Sequence, residues 1–301
     1  MRCDELSRKP SFRPGRGSSG QTAPLRALSI LCAALLALIH RTGLSADLTN
    51  GATGITAAPL VEVDPGHTPK RYGAVGAWGD REVELNDALA RDLCSEIRSR
   101  GLRCALTRQP WEEISLTGRT QKARRDGASL FISVHHDSVP EMFCARKSGL
   151  PGCTTDHASG WSVFVSKKNA QYGKSLEAAA MAGRRLMESG LMFNPTHTGP
   201  EERRPFLDRR NGVYGYDNLI VLKTARMPAF LLETAVITNP SDMRKLTGSD
   251  YYKRIIAAAA DGAEEFLKNG DDARTGGSRR TAVRTHPAAG SGKHRSPSPS
   301  P

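Results

Sequence analysis

The sequence predicts an α/β protein: a single three-layer domain in which helices flank a mostly parallel sheet of about six strands. Short apolar segments alternate with amphipathic ones between residues 60 and 269. The segment 129–134 is apolar on both faces of a strand, which is typical of the centre of a parallel sheet. No part of the sequence repeats, so one layered domain accounts for the pattern.

The first half of the predicted domain opens with a strand over 60–63 that runs into a Pro-Gly turn. A helix follows over 82–100, because apolar side chains recur at every fourth position on one face. These side chains are Leu85, Leu89, Leu93 and Ile97. A second strand is predicted over 102–107, and Ser115 is the expected cap of a helix over 116–126.

The second half of the domain is less regular. A polar stretch over 137–159 follows the central strand, and the stretch 190–218 is predicted to be loop-rich. The remaining predicted elements are strand 161–165, helix 170–189, strands 219–222 and 229–232, and helix 250–267.

The amino-terminal segment, residues 1–46, has the order of an export signal. A basic region precedes an apolar run from Ala27 to Ile39, and Leu44-Ser45-Ala46 is a candidate cleavage site. The apolar run is shorter than the ~20 residues that span a membrane. We therefore expect a cleaved signal peptide, and no stable membrane span after cleavage. The long basic region leaves the true start site open, and residues 47–59 are interpreted as a linker.

The carboxyl-terminal segment, residues 270–301, is rich in Gly, Ser, Pro and Arg. It has almost no apolar side chain to bury, so we expect a disordered basic tail. The two end segments together carry most of the formal net charge of +12. The basic composition is therefore weak evidence for nucleic acid, and no nucleic-acid partner is expected.

Four cysteines lie between the end segments, in the close pairs Cys94/Cys104 and Cys144/Cys153. An even number in an exported chain favours disulfides. We expect a bond between Cys144 and Cys153, which closes a loop containing Gly and Pro. For Cys94 and Cys104 the sequence leaves both a disulfide and buried free thiols open. No cysteine spacing indicates a thiolate zinc site.

Polar side chains follow three of the predicted strands at the point where each ends. His67 follows the first strand, His135 the central strand and Glu233 the last strand, while Glu82 lies in the first turn of a helix. Each alone has a structural explanation, such as a hydrogen-bonded histidine or a glutamate facing a helix dipole. Ligands of α/β sheets bind beyond the carboxyl ends of strands, and imidazole and carboxylate bind zinc. Together the four residues predict a metal site.

Four segments, in order, resemble the motifs of the zinc-dependent N-acetylmuramoyl-L-alanine amidases, the type 3 family of cell-wall amidases. They are Asp64-Pro-Gly-His67, the glycines Gly73, Gly76 and Gly79 with Glu82, Ser133-Val-His135, and Met227-Pro-Ala-Phe-Leu-Leu-Glu233 with Thr238-Asn-Pro240. The resemblance extends over residues 60–268. It departs from the family at Thr68-Pro69, where glycines are usual.

The resemblance implies a zinc hydrolase that cuts the amide bond between N-acetylmuramic acid and the L-alanine of the peptidoglycan stem peptide. It implies one Zn2+ per chain, bound by His67, Glu82 and His135, and Glu233 as general base and acid. Residues 60–269 are then a zinc amidase catalytic domain that binds peptidoglycan or muropeptides. Its location is the periplasm or the cell envelope. Whether a protein activator is needed stays open.

Neighbouring polar residues leave alternatives open. Glu84 competes with Glu82 as a ligand, and Glu82 is preferred for its spacing. Asp64 and Asp137 are candidates to orient the ligand imidazoles. For His136 a contact that supports the site competes with a solvent-facing position, which is preferred.

Arg119 and Arg209 are candidates to bind substrate carboxylates, with a surface position as the simpler interpretation. The stretch 190–218, which contains His197, either shapes the groove or covers the site. Two other functions compete with the amidase: a zinc peptidase that cuts within the stem peptide, and a non-catalytic peptidoglycan-binding domain of the same fold. The family resemblance argues against the first, and the complete set of four site residues argues against the second.

Overall fold

The computed structural model describes residues 57–274; the predicted signal peptide and most of the linker and basic tail lie outside the described residues. Five elements form the first half of the domain: β1 (Leu60–Pro65), α1 (Glu82–Ser99), β2 (Arg103–Leu106), α2 (Leu116–Arg125) and β3 (Leu130–Asp137). All five lie where the sequence predicts them. Ser115 caps α2, because its Oγ accepts a hydrogen bond of 3.0 Å from the backbone N–H of Gly118.

The second half begins with a two-stranded hairpin that lies outside the main sheet. The elements of this half are β4 (Ala145–Arg146), β5 (Cys153–Thr154), β6 (Ser162–Val165), α3 (Tyr172–Glu188), β7 (Phe206–Asp208), β8 (Val213–Gly215), α4 (Ile220–Thr224), β9 (Ala229–Val236), α5 (Pro240–Thr247) and α6 (Ser249–Arg274). Single 3-10 turns lie at Glu141–Phe143 and Thr196–Thr198.

The main sheet has seven strands in the order β2-β1-β3-β9-β6-β8-β7. The pairs β2–β1, β1–β3, β3–β9 and β6–β8 are parallel, whereas β6–β9 and β7–β8 are antiparallel. The predicted α/β class with a mostly parallel sheet is confirmed. The sheet exceeds the predicted size because β7 and β8, each three residues long, lie in the stretch that was expected to be loop.

Helices cover both faces of the sheet, which gives the three predicted layers. Side chains alternate along β3, so Leu130, Ile132 and Val134 pack in one core cluster with buried residues of α1, α3 and α6. Phe131 points to the other face and packs in a second cluster with residues of α2 and α4. The central strand is therefore buried on both sides, as its composition predicts.

The segment 219–222 was predicted as a strand but belongs to helix α4. The backbone N–H of Lys223 donates to the carbonyl of Leu219 at 3.0 Å, which is a helical hydrogen bond. Val221 and Leu222 are buried against the sheet. The prediction was wrong because a short apolar run carries no periodicity that separates a strand from a buried helix.

Two helical segments were not anticipated. Asn239 caps α5, since its Oδ1 accepts hydrogen bonds from the backbone N–H of Ser241 at 2.8 Å and of Asp242 at 3.3 Å. Helix α6 continues to Arg274, so the first residues of the segment assigned to the tail are helical. Among the helices that the structure describes, none is both long and apolar enough to cross a membrane.

Both cysteine pairs form disulfides, Cys94–Cys104 and Cys144–Cys153, with Cα atoms 5.5 and 5.4 Å apart. The first joins α1 to β2, so the alternative of free thiols is wrong. The second closes the β4–β5 hairpin, as predicted.

Candidate active site

The residues at the predicted strand ends lie at one edge of the sheet because their strands are neighbours. Strands β1, β3 and β9 are adjacent and parallel, and His135 is in register with Glu233. His67 lies two residues beyond the end of β1. Since the carboxyl ends of parallel strands meet at the same edge, the topology places these three side chains around one site.

Glu82 stands between the two imidazoles. Its Oε2 lies 3.0 Å from Nε2 of His67, and its Oε1 lies 2.9 Å from Nδ1 of His135. One ligand atom of each residue lies within 4.8 Å of the other two. Two imidazole nitrogens and a carboxylate oxygen are a donor set that catalytic zinc sites use. The residues present therefore fit this metal.

The carboxylate of Glu82 is held in its charged form. Burial alone would raise its pKa, but hydrogen bonds with His135 and His67 outweigh burial and hold the pKa of this carboxyl well below its usual range. Nδ2 of Asn86 and the backbone N–H of His136 each donate to Oε1 at 3.3 Å. A charged carboxylate with fixed orientation is the form that binds a cation.

The choice between Glu82 and Glu84 follows from their places on α1. Residues two apart on a helix do not face the same side. Glu82 is buried between the imidazoles, whereas Glu84 is exposed. The geometry favours Glu82 as the candidate ligand.

His67 lies on a turn with left-handed backbone conformation, φ 65°. Such a φ is uncommon outside glycine and tends to occur at functional sites. The carbonyl of His67 accepts hydrogen bonds from Nε of Arg108 at 2.9 Å and from Nη2 of Arg119. Backbone hydrogen bonds of 3.2 and 2.9 Å between Thr68 and Arg71 close the next turn. The chain therefore still makes a tight turn at Thr68, although the family usually has glycines there.

The glycines around the site are required by the close approach of the backbone to the candidate ligands. Gly73 has φ +77°, and a Cβ there would lie 2.6 Å from Cδ2 of His67 and collide with the carboxylate of Glu82. A Cβ at Gly66 would collide with the ring of His135.

The carboxylates that were expected to orient the ligand imidazoles bind other groups. Asp64 accepts a hydrogen bond of 2.7 Å from Arg119 and two more from buried hydroxyl groups. Asp137 lies 3.3 Å from Nε2 of His197. Neither has a contact with a ligand imidazole in the part of the chain that the structure describes, so this prediction was wrong. The reason is burial: a buried carboxylate requires its own charged or hydrogen-bonding partners.

His136 is buried, with 2% of its surface exposed, although a solvent-facing position was preferred. Even-numbered residues of β3 point to the face that α1 covers, so His136 is enclosed there. Nδ1 of His136 lies 2.8 Å from Oδ1 of Asn86, whose Nδ2 also donates to the carbonyl of Gly66 at 3.3 Å. Burial lowers the pKa of His136 to about 4, so the ring is neutral at pH 7.

Of the two arginines considered for substrate carboxylates, Arg119 lines a cavity beside His67 and Glu233 but binds other groups, and Arg209 lies away from it. The guanidinium of Arg119 is buried in the ion pair with Asp64. Arg209 is exposed and lies over the ring of Phe206, 5.5 Å from its centroid. Arg119 is therefore a structural residue of the turn, and not a surface arginine as assumed.

Glu233 lies beside the candidate metal ligands, and its carboxyl group is largely shielded from water. Burial, and then the negative charges of Asp137 and Glu82, raise the pKa of Glu233 well above its usual value. Its Oε2 is buried and has no hydrogen-bond partner among the described residues. An unpaired buried carboxyl oxygen at a cavity is suited to contact a substrate or water.

Two cavities meet at the site, and His67, His135 and Glu233 line both. The larger has a volume of about 870 Å³, and apolar side chains from the start of α2 and from α4 form much of its wall. The smaller has a volume of about 330 Å³ and is also lined by Glu82 and Arg204. Arg204 was not identified from the sequence, because it is one of several arginines in a stretch without a recognisable motif.

Comparison with known proteins identifies the family of the chain. The family model described as N-acetylmuramoyl-L-alanine amidase (Amidase_3) matches residues 61–265. The N-acetylmuramoyl-L-alanine amidase AmiA of Salmonella typhimurium is 28% identical over 233 residues, which cover 69% of this chain and 76% of AmiA.

Solved structures share the fold. The amidase AmiC2 of Nostoc punctiforme superposes with a TM-score of 0.53 at 23% identity, over 70% of this chain and 97% of AmiC2. The CwlD amidase from Clostridioides difficile, solved in complex with the GerS lipoprotein, has a TM-score of 0.53 at 19% identity, over 70% of this chain and 99% of CwlD. With the family model spanning nearly all of the sheet and the site, the chain belongs to the N-acetylmuramoyl-L-alanine amidase family.

Proposed function

We propose that this amidase cuts the bond between N-acetylmuramic acid and the L-alanine of the stem peptide with one zinc ion bound by His67, Glu82 and His135, and with Glu233 as general base and acid. The observation that carries the proposal is the convergence of one ligand atom from each of the three residues within 4.8 Å of one another. The unpaired carboxyl oxygen of Glu233, which lines both cavities beside them, supports the catalytic assignment.

A bound zinc ion supplies a Lewis acid that polarises a carbonyl and makes water a better nucleophile at neutral pH. The protein holds the donors in place for it. Asn86 and the backbone of His136 fix the carboxylate of Glu82, and the turn after β1 fixes His67. Three protein donors leave coordination free for substrate or water.

Glu233 moves the proton in this proposal. It takes a proton from the attacking water and returns it to the departing amine of L-alanine, which is the usual double task of a single base in amide hydrolysis. Burial raises the pKa of Glu233, so its carboxyl group takes up a proton more readily than an ordinary glutamate does.

The variant Glu233→Gln tests the catalytic assignment. It keeps the shape of the side chain and removes the base, so we expect hydrolysis of purified peptidoglycan to fall by about 10²- to 10⁴-fold. Zinc content, measured by atomic absorption, should stay at one ion per chain. A variant that releases peptide at the wild-type rate would refute the role of Glu233. In the wild type, a chelator should stop the reaction and added zinc should restore it.

Mass spectrometry of the digest separates the competing functions. An amidase frees the carboxyl group of muramic acid and releases the stem peptide intact. A zinc peptidase that cuts within the stem would give shortened peptides still attached to the sugar, and a non-catalytic wall-binding domain would give no product.

We also infer that the chain acts in the periplasm or cell envelope, where its polymeric substrate lies. The export signal over 1–46 is a prediction that amino-terminal sequencing of the secreted protein would test. A protein activator is a further candidate partner, supported by the complex between the CwlD amidase and a lipoprotein. Turnover by the purified chain alone would show that no activator is required.

A further inference from the structure

A buried polar cluster in the stretch 190–218 is not used by the proposed hydrolysis. Its centre is His197, which has no exposed surface. Nδ1 of His197 lies 2.6 Å from Oε2 of Glu202, and Nε2 lies 2.9 Å from Oγ of Ser162. Ser162 is the register partner of Glu233 in the antiparallel pair β6–β9. The cluster therefore packs directly behind the strand pair that carries Glu233.

Arg204 forms the end of this cluster and is held from several sides. Its Nη1 lies 3.0 Å from Oε2 of Glu202, and its backbone N–H donates to the carbonyl of His197 at 2.9 Å. Its guanidinium lies over the rings of Tyr216, 4.2 Å from the centroid, and Phe164, 5.3 Å from the centroid. The side chain is 23% exposed. The guanidinium is thus placed in one orientation before any ligand binds.

The exposed part of Arg204 faces the reaction site. Arg204 lines the smaller cavity together with the three candidate zinc ligands and Glu233, and it is the only arginine or lysine among the described residues that line it. Its Nε and Nη2 groups donate to no described residue. A guanidinium with free N–H groups beside a catalytic site is suited to bind a carboxylate.

The larger cavity offers a second place for the substrate. Both cavities share His67, His135 and Glu233, so a substrate whose scissile amide lies at Glu233 extends into one cavity on each side. The muramoyl side has no charge once its lactyl carboxyl group is part of the amide bond. The peptide side carries carboxylates. Cations line both cavities, but the wall of the larger one is more apolar and the guanidinium of Arg204 is held in one orientation. We therefore assign the peptide to the cavity that holds Arg204 and the sugar to the larger one.

We propose, on the basis of the proposed function, that Arg204 binds the free carboxylate of the second residue of the stem peptide and so selects substrates with this carboxylate over those with a carboxamide. Lys70, Arg71 and Arg119 line the larger cavity and are the competing cations. The guanidinium of Arg119 is committed to Asp64 and to the carbonyls of Pro65 and His67. Lys70 and Arg71 are exposed, and fixing them on a ligand costs more conformational entropy than using the fixed Arg204.

The test compares two synthetic muramoyl peptides that differ in one group, a free carboxylate or a carboxamide on the second residue. The zinc-loaded full chain and its variants are assayed for kcat and KM on both. We expect Arg204→Gln to lower kcat/KM for the free acid by about 10- to 100-fold, mainly through KM, because a charge-assisted hydrogen bond is lost. The carboxamide should be affected much less. Arg204→Lys should restore part of the preference because it keeps the charge.

Arg209→Gln is the matched control, since Arg209 also lies over an aromatic ring but lines neither cavity. It should leave both substrates unchanged. Melting temperature and zinc content show whether each variant is folded and loaded.

Two results would overturn the proposal. Equal losses on both peptides in Arg204→Gln would show that Arg204 acts on the structure or on the reaction centre. A selective loss on the free acid in Arg71→Gln, with none in Arg204→Gln, would place the peptide in the larger cavity. If the wild type cleaves neither peptide, the proposed function fails. Calorimetry then still tests the role of Arg204, and equal affinity of the wild type for the two peptides would refute that role.

Discussion

The guanidinium of Arg119 and the carboxylate of Asp64 form an ion pair of 2.7 Å in which both side chains are 1% exposed. The same Nη1 of Arg119 donates to the carbonyl of Pro65 at 2.6 Å, and Nη2 donates to the carbonyl of His67. The pair therefore ties helix α2 to the end of β1 and to the turn that presents His67. A residue well away in sequence thus fixes the backbone of a candidate metal ligand.

Replacing Arg119 by Met should lower the free energy of unfolding by about 3–5 kcal/mol, because it leaves the carboxylate of Asp64 buried without its charged partner. Urea denaturation of the two proteins measures this difference. Arg125→Met is the control, since Arg125 is exposed near the end of the same helix and its removal should cost less than about 1 kcal/mol. Equal losses in the two variants would show that the ion pair contributes little.

The assignment of Glu82 over Glu84 gives a paired prediction. Glu82→Gln removes the charged oxygen between the imidazoles, so zinc affinity should fall by more than about 100-fold, beyond the loss typical of residues that only support a ligand. Glu84→Gln changes an exposed side chain two residues away and should leave affinity unchanged. Competition with a fluorescent zinc chelator measures both. Loss of zinc in the second variant alone would reverse the assignment.

The strands and helices that carry the site were predictable because local patterns specify them. The four-residue periodicity after Glu82 indicates a helix, and the apolar run before His135 was correctly predicted as a central strand. Strand-end positions then bring His67 and Glu233 to the same edge by the general topology of parallel sheets. For these residues sequence spacing and tertiary position agree.

Side-chain partners were not predictable in the same way. Asp64 precedes the Pro-Gly turn by one residue, which made it a candidate to orient an imidazole, yet its partner Arg119 comes from a helix on another part of the chain. Arg204 had no signal at all, since its position depends on His197, Glu202 and two aromatic rings that only the fold brings together. Contacts between distant segments decide such roles.

The backbone at Gly73 gives a further prediction. Gly73→Ala would place a methyl group 2.6 Å from Cδ2 of His67, so it should weaken zinc binding and activity as well as stability. Gly101→Ala is a close control, because Gly101 has φ +79°, against +77° for Gly73, and a Cβ there meets nothing within 4 Å. Both variants should lose on the order of 1 kcal/mol or more of stability from the left-handed backbone. Zinc titration and melting curves separate the two effects; equal zinc affinity in both variants would contradict the collision at His67.

The buried ring of His136 predicts a pH dependence of stability in the metal-free protein. An unfolded histidine takes up a proton near pH 6.5, whereas burial keeps folded His136 neutral down to about pH 4. The unfolded state binds more protons between these values, so stability falls as the pH decreases from 6.5 to 4, by up to about 1.4 kcal/mol per pH unit from this residue.

His136→Asn removes the titrating ring and keeps an N–H for Asn86, so its free energy of unfolding should depend less on pH in this window. His157→Asn changes an exposed histidine and should retain the wild-type dependence. Denaturant unfolding at several pH values measures the three slopes, and a wild-type slope in His136→Asn would show that the ring is protonated in the folded state.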